Sequence, residues 1–240
     1  MVEPASERRN LFVFLILSSV LLVVAGAGIA FYYGKSYTNV KQIRVTGNSY
    51  LTSAEILLAS GLKADAPLTR GDLFAARNRL LAVPAINSVI MEDESGEIVI
   101  RVHERLCSAV LRLDGSMIDV DETGRILHYD GRCTASPIVS GAFRIQGNNA
   151  SGEGLNETLI SLRSIREQAP DLEKRISEIL IRKGYYTLFM IRPPIQMDVP
   201  DLTTSTVERI TVSLAYFEKE GRQKGRIDLR GKNALYQPQS

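Results

Sequence analysis

Residues 11–33 carry no charged side chain, and this uncharged run of 23 residues constrains the chain more than any other feature. A helix rises about 1.5 Å per residue, so a segment of this length crosses a hydrocarbon core of about 30 Å. Backbone groups find no water in lipid, so a single segment crosses only as a helix. We predict a membrane anchor from Leu11 to Tyr33, with Tyr32 and Tyr33 at the interface, behind a polar tail at residues 1–10.

The charges that flank the anchor indicate its direction. Arg8 and Arg9 precede the apolar run and Lys35 is the nearest cation after it, which favours a cytoplasmic amino terminus. A cleaved signal peptide is the alternative, because residues 25–27 (AGA) match a small-residue cleavage site. The apolar run continues past that site, which favours a retained anchor. Both interpretations export the rest of the chain.

The exported part has a nearly balanced charge. Without the two arginines and two glutamates of the tail, the 29 basic and 27 acidic residues fall to 27 and 25. A net charge of about +2 on scattered residues does not indicate nucleic-acid binding. The length leaves room for one or two domains with hydrophobic cores.

Cys107 and Cys133 are the only cysteines of the chain. An oxidising exterior permits them to form a disulfide. Two small, buried, free thiols are the alternative. The sequence leaves both open, because a disulfide depends on the distance between the two Cα atoms.

Residues 38–105 are predicted to form the first exported domain. Residues 40–45 alternate as a short strand, and residues 52–55 and 69–72 carry capping-box patterns that begin two helices. Two further strands are predicted at residues 86–92 and 98–104. The order of strand, helix, helix, strand and strand predicts two helices that cover one face of a three-stranded sheet.

Residues 106–236 are predicted to form a second, mainly antiparallel β domain with flanking helices, followed by a polar tail at residues 237–240. Apolar residues at helical spacing predict helices at residues 155–168 and 203–218. Strands are predicted at residues 109–113, 116–120, 125–129, 174–182, 185–192 and 195–199, with a final strand from residue 226 toward residue 236. The predicted fold class is α+β.

The sequence contains no pattern that predicts catalysis, a cofactor or a metal. His103 and His128 are the only histidines, and neither has the neighbours that a general base or a zinc site requires. Phosphate-binding loops, dinucleotide motifs and nucleophile elbows are missing from the sequence. We expect a protein that is not an enzyme, and an anchored exported enzyme is a less favoured alternative.

The final strand, followed only by polar residues, predicts an open sheet edge. Unpaired N–H and C=O groups at such an edge are a template for a strand of another chain. The predicted partner-binding residues are Arg226, Ile227, Asp228, Leu229, Arg230, Asn233, Leu235 and Tyr236.

Five segments that follow the anchor in order resemble motifs of the FtsQ/DivIB proteins of the bacterial division machinery. They are residues 40–48 (VKQIRVTGN), 84–89 (PAINSV), 100–105 (IRVHER), 118–124 (IDVDETG) and 227–230 (IDLR). The resemblance covers nearly the whole chain. It implies a POTRA domain of βααββ order followed by a β domain.

The resemblance also implies a function. The chain would be a non-catalytic divisome scaffold of the cytoplasmic (inner) membrane at the septum, and it would bind an FtsB–FtsL-like pair through its C-terminal strand. Its POTRA domain and membrane helix would contact other division proteins, and the assembly would help to control septal peptidoglycan synthesis. Many family members carry an aromatic residue where this chain has Gly231, and Tyr236 is the nearest substitute.

The runner-up is a POTRA-bearing factor that chaperones exported or outer-membrane polypeptides. Outer-membrane assembly factors normally combine several POTRA units with a long array of barrel strands. The sequence predicts one such unit and no barrel, so the scaffold is favoured.

Overall fold

The computed structural model describes residues 5–34, 36–37, 40–94, 96–222 and 224–238. Helix α1 runs from Ala5 to Gly34. Its segment Phe14–Phe31 has a mean hydropathy of 2.5, and none of it is buried against the rest of the described protein. By length and composition this is the one described helix able to cross a membrane, and a signal sequence would meet the same criteria. Residues 1–4 of the predicted tail lie outside the described residues.

Besides α1, the described residues of the first unit form two helices and a three-stranded sheet. Its elements are β1 (Ser36–Tyr37), β2 (Gln42–Thr46), α2 (Ser53–Ser60), β3 (Leu68–Thr69), α3 (Arg70–Leu81), β4 (Ile86–Glu94) and β5 (Glu97–Glu104). The sheet order is β2-β5-β4, and β2 is parallel to β5. The predicted βααββ order is confirmed, and the antiparallel pair β1–β3 is an addition that the sequence did not predict. Thr38, the predicted first residue of the domain, lies outside the described residues.

Side-chain hydrogen bonds begin both helices of this unit. The Thr52 hydroxyl accepts from the Glu55 backbone N–H at 3.2 Å, and the Glu55 carboxylate accepts from the Thr52 N–H at 2.8 Å. Thr69 and Asp72 form the same pair of bonds at 3.1 and 2.8 Å. Each box satisfies amide groups that the first helical turn leaves unpaired. Both predicted capping boxes are confirmed.

The second unit is built on one large sheet. Its strands are β6 (Ala109–Leu113), β7 (Ser116–Val120), β8 (Ile126–His128), β9 (Ile138–Ser140), β10 (Phe143–Gln146), β11 (Asn149–Gly152), β12 (Ile176–Arg182), β13 (Tyr185–Met190), β14 (Ile195–Val199), β15 (Gly225–Asp228) and β16 (Leu235–Gln237). Its helices are α4 (Leu155–Gln168), α5 (Pro170–Glu173) and α6 (Thr204–Lys219). Nine strands pair in the order β16-β15-β14-β13-β12-β9-β6-β7-β8.

The hydrophobic core lies between one face of this sheet and helices α4 and α6. Leu162 on α4 and Ile210 on α6 are fully buried against strand residues that include Leu188 and Met197. Strand side chains alternate between the two faces of a sheet, so Asp198, next to Met197, lies on the opposite face. The prediction of a mainly antiparallel domain with flanking helices is confirmed. The unpredicted strand β9 pairs parallel with both β6 and β12.

Cys107 and Cys133 form a disulfide, which the sequence had left open. The two Cα atoms lie 6.3 Å apart and the cysteines are separated by 26 residues. The segment between them contains β6, β7 and β8, so the bond closes a loop around three strands of the large sheet.

The chain divides into two compact units at a position near the predicted boundary. The first contains the chain up to Val83 together with Ser88–His103, and the second contains Pro84–Asn87 and the chain from Glu104 onward. The predicted boundary at Arg105 lies two residues beyond His103. Independent folding of residues 38–105 stays a prediction.

Replacing Cys107 and Cys133 together by serine should lower the free energy of unfolding of the second unit. We expect a loss of roughly 3 kcal/mol, because an unclosed loop of this length gives the unfolded chain more conformational freedom. Urea unfolding of the full chain in detergent, followed by circular dichroism, measures the difference. The transition of the first unit is the internal control, since both cysteines lie in the second. An unchanged transition of the second unit would contradict the expected stabilisation.

Candidate functional site

The predicted C-terminal edge strand is two strands in the structure. Strand β15 ends at Asp228, and β16 begins at Leu235 and pairs antiparallel with it. On its other side β15 pairs parallel with β14. The prediction of one exposed strand from Arg226 to Tyr236 is therefore wrong, because β15 is an internal strand. The edge is β16, which extends to Gln237, the first residue of the predicted tail.

Local hydrogen bonds turn the chain after Asp228. The Asp228 carboxylate accepts the backbone N–H of Arg230 at 3.0 Å and its guanidinium Nε at 2.9 Å. The hydrogen bond from the Arg230 side chain lowers the pKa of Asp228 to about 2, so the carboxylate is ionised near neutral pH. Arg209 then donates to the Gly231 carbonyl at 2.6 Å. Residues 231–233 (GKN) contain the glycine and asparagine that favour a turn, and this signal could have predicted the break.

The direction of the backbone groups follows from one hydrogen bond. The N–H of Leu229 donates to the carbonyl of Asp198 in β14 at 2.7 Å. The N–H and C=O of one strand residue point to the same side, and successive residues alternate. Arg226 and Asp228 therefore turn their backbone groups toward β16, where they pair with Gln237 and Leu235.

Tyr236 is consequently the residue of β16 that turns its N–H and C=O outward. It lies opposite Ile227, and in an antiparallel pair the residues between two hydrogen-bonded pairs do not bond to each other. Its backbone groups point away from the sheet, toward any strand that adds to this edge. The edge template of β16 is centred on this residue.

The Tyr236 side chain holds β16 in place. Its ring packs edge-on against Phe217 of α6 at 5.3 Å between centroids, and the Arg222 guanidinium lies 4.4 Å from the ring centroid. The Tyr236 hydroxyl donates to the Lys224 carbonyl at 3.1 Å. A Cβ atom at Gly225 would overlap the Tyr236 ring, so a glycine permits this close approach. The ring therefore stabilises the edge from the helix side.

A buried carboxylate supports the edge from the opposite face of the sheet. Asp198 is fully buried on β14 and accepts from the Thr187 hydroxyl at 2.8 Å and from Arg226 Nε at 2.8 Å. Arg226 lies on β15 and Thr187 on β13, so the three residues link adjacent strands. A buried charge needs such partners, because removing it from water is otherwise costly. Arg226 is thus a structural residue as well as a predicted contact.

The remaining predicted site residues differ in their access to a partner. Ile227 and Leu229 are 3% and 1% exposed and belong to the core. Arg230 is exposed and also lies over the Tyr185 ring, 4.8 Å from its centroid. Asn233 is exposed, and Leu235 is 64% exposed on the edge strand itself.

The two ends of the large sheet differ in how they are covered. At the far end, Ile126 of β8 donates to the Asn148 carbonyl at 2.8 Å, and Ala150 donates to Gly124 at 2.8 Å. The β10–β11 hairpin therefore borders that end, and Arg125 forms a bridge with Asn149. Among the described residues, no strand pairs with the outer side of β16. Exposed edges of this kind are sites of strand addition.

The other predicted positions add no chemistry to this edge. Leu11, Tyr32 and Tyr33 lie within α1, and their side chains are outside the described residues. The one described cluster that could hold a metal is Cys107, Asp119 and Cys133, with ligand atoms within 4.8 Å of one another. Both sulfurs are bonded in the disulfide, so neither is available as a thiolate ligand.

Comparisons with known proteins connect the first unit to a family. The model of the family described as "POTRA domain, FtsQ-type" matches residues 38–105. "Cell division protein FtsQ" of Streptomyces collinus is 29% identical over 121 residues, which cover 50% of this chain and 46% of the relative. The protein of the same name from Streptomyces venezuelae is 33% identical over 112 residues, covering 46% and 41%. The chain spans somewhat less than half the length of these relatives.

A solved structure is also similar to part of the chain. It is the major extracytoplasmic domain of the cell-division protein DivIB from Geobacillus stearothermophilus, with 15% identity and a TM-score of 0.31. The match covers 40% of this chain and 79% of that structure. A likeness of this degree adds no argument about function.

Substituting Asp198 by asparagine should destabilise the second unit by about 2 kcal/mol, because the change removes the charged acceptor that Arg226 binds. Asp171→Asn is the matched control. The Asp171 side chain is 94% exposed and forms an ion pair with Lys174 at 3.1 Å, and such surface pairs contribute about 0.5 kcal/mol or less. Urea unfolding of both variants measures the two losses. Equal losses would show that the buried carboxylate does not support the edge.

Proposed function

We propose that this chain is a member of the FtsQ/DivIB family and a non-catalytic scaffold of the bacterial division machinery, and the match of residues 38–105 to the FtsQ-type POTRA family supports this proposal. It binds an FtsB–FtsL-like pair at the edge of its second unit and other division proteins through its POTRA domain and membrane helix. The resulting complex helps to control septal peptidoglycan synthesis. The observation that carries the binding proposal is the open edge at β16, with the backbone of Tyr236 turned outward.

The edge provides a short template with a defined position. Outward-facing residues alternate along a strand, so Ala234 and Pro238 share the outward side with Tyr236. Proline has no backbone N–H, and Pro238 therefore offers an acceptor and no donor. A partner strand would pair mainly with Ala234 and Tyr236, and few main-chain bonds would form. Side chains beside the edge, such as the exposed Leu235, would supply the remaining contact area.

The proposed location is the cytoplasmic membrane at the division septum, with the amino terminus in the cytoplasm. Arg8 and Arg9, which lie in α1 ahead of its apolar segment Phe14–Phe31, support this orientation. Both exported units would then stand on the outer side of the membrane. An exterior of this kind is also where the Cys107–Cys133 disulfide would form and persist.

Mass spectrometry of the chain extracted from membranes tests the anchor. We expect the intact chain, because α1 continues as a helix through residues 25–27 to Gly34. A mature amino terminus at Gly28 would instead identify a cleaved signal peptide. In that case the exported units would be released, and the membrane part of the proposal would be wrong.

Three substitutions at Tyr236 test the binding edge. Tyr236→Phe keeps the ring and the backbone N–H, Tyr236→Ala keeps only the N–H, and Tyr236→Pro removes both. Loss of one main-chain hydrogen bond costs about 1 kcal/mol, so the proline variant should bind the FtsB–FtsL-like pair several-fold to tenfold more weakly than the alanine variant. The phenylalanine variant should bind like the parent. A pull-down with a tagged partner pair measures the three affinities.

The comparison between proline and alanine isolates the outward donor. The hydrogen bonds between β15 and β16 belong to Leu235 and Gln237, so proline at position 236 leaves them in place. Circular dichroism and urea unfolding confirm that each variant is folded. A folded proline variant that binds as well as the alanine variant would contradict strand addition at β16. Proline at Asp228 is not a suitable test, because the backbone of that residue already pairs with β16.

A further inference from the structure

The end of α1 is connected to α3 through a very short path. Helix α1 ends at Gly34, and β1 begins two residues later. Ser36 pairs with Thr69 and Tyr37 pairs with Leu68 in the antiparallel pair β1–β3. Thr69 is the N-cap of α3, which begins at Arg70. The chain that leaves α1 is therefore held beside the first turn of α3.

These steps limit the distance between the membrane and α3. Two extended residues span at most about 7 Å, and paired strands lie about 5 Å apart. The Cα atoms of α1 and α3 also approach within 8 Å at several pairs. The interfacial layer of a bilayer adds about 6 Å on each side of the hydrocarbon core. A helix tied this closely to the end of a membrane anchor begins at the membrane surface.

We propose that the first two turns of α3 lie in the interfacial layer of the outer leaflet, with the Phe74 ring inserted among the lipids. Phe74 is 50% exposed and stands one turn after Arg70, which is half-buried at the start of the helix. Phenylalanine is among the side chains that interfacial helices bury at the boundary between headgroups and acyl chains. This inference rests on the proposed anchoring by α1. It adds a direct lipid contact that fixes the first unit against the bilayer.

Exposure alone does not select this position. Leu58 on α2 is 84% exposed, more than Phe74. The end of α2, however, is tied to the far part of α3, because Arg79 Nε donates to the Ser60 carbonyl at 2.8 Å. Arg79 stands nine residues after Arg70, or about 13 Å along the helix axis. Position relative to the anchor therefore assigns the lipid contact to Phe74, and Leu58 lies farther away.

Tryptophan fluorescence provides the test, because the chain contains no tryptophan. Phe74→Trp, Asn78→Trp and Leu81→Trp each introduce one probe at i, i+4 and i+7, which lie on one face of α3. All three residues are exposed in the structure. The full chain is placed in nanodiscs that contain lipids brominated near the headgroup end of the acyl chain. Leu58→Trp is the control for a highly exposed site outside the proposed contact.

We expect quenching to fall in the order 74, 78, 81, because these positions are separated by about 6 and 4.5 Å along the helix axis. Quenching at position 74 should exceed that at positions 81 and 58 by about twofold or more, given that interfacial side chains reach about 5–10 Å into this layer. The gradient between 78 and 81 remains measurable if the variant at position 74 does not fold. Equal quenching along α3, or the strongest quenching at position 58, would overturn the inference. Failure of the chain to copurify with the nanodisc would overturn the anchoring and this inference together.

Discussion

The second unit depends on the pairing of every backbone N–H and C=O in its internal strands. An unpaired group inside the sheet would lose its hydrogen bonds to water without replacement. Strand β15 meets this requirement with β14 on one side and β16 on the other. The short final strand is therefore part of the sheet's stability, and its outward backbone groups are the ones that the proposed partner would use. Within β16, Leu235 and Gln237 pair with β15, and Tyr236 would provide the backbone groups for the proposed binding.

Side chains on both faces of the sheet hold the edge strands in place. On the helix face, Tyr236 packs against Phe217 and covers the end of the core. On the other face, Asp198 joins Arg226 and Thr187 across three strands. A partner could engage the Tyr236 ring only with loss of its packing, and the Asp198 carboxylate only with loss of a buried hydrogen bond. The groups that remain accessible are backbone groups and the exposed side chains of Leu235, Asn233 and Arg230.

Much of the fold was predictable from local signals in the sequence. The capping boxes at Thr52 and Thr69, the helical spacing that led to α4 and the turns of the meander act over a few residues, and the structure confirms each of them. Two of the missed elements, β9 and β1, depend on distant partners. Strand β9 has three residues and gains its structure from β6 and β12, and β1 has two residues that pair with β3. No periodicity is readable in strands this short.

The edge strand was predicted with the wrong pairing, and its role in binding stays a prediction. Alternating residues identified β15 as a strand, but alternation does not reveal how many neighbours a strand has. The acidic side chain of Asp228 ended the strand through a contact with Arg230, and that contact is visible only once the backbone has turned. Tyr236, named as a substitute aromatic, proved to be the residue whose backbone points outward.

The order of the strands along the chain means that the edge is the last part of the sheet to be synthesised. Strands β15 and β16 follow every other strand of the sheet in sequence, and β14 and β15 pair only across the whole of α6. If the part of the chain after α1 is exported in the order of its sequence, the first unit would emerge long before the edge strand β16. A chain truncated after α6 would keep the proposed membrane anchor but would lack the edge strand proposed to bind the partner. In the proposed complex, binding at β16 would therefore require that the sequence before β16 has already been synthesised and exported.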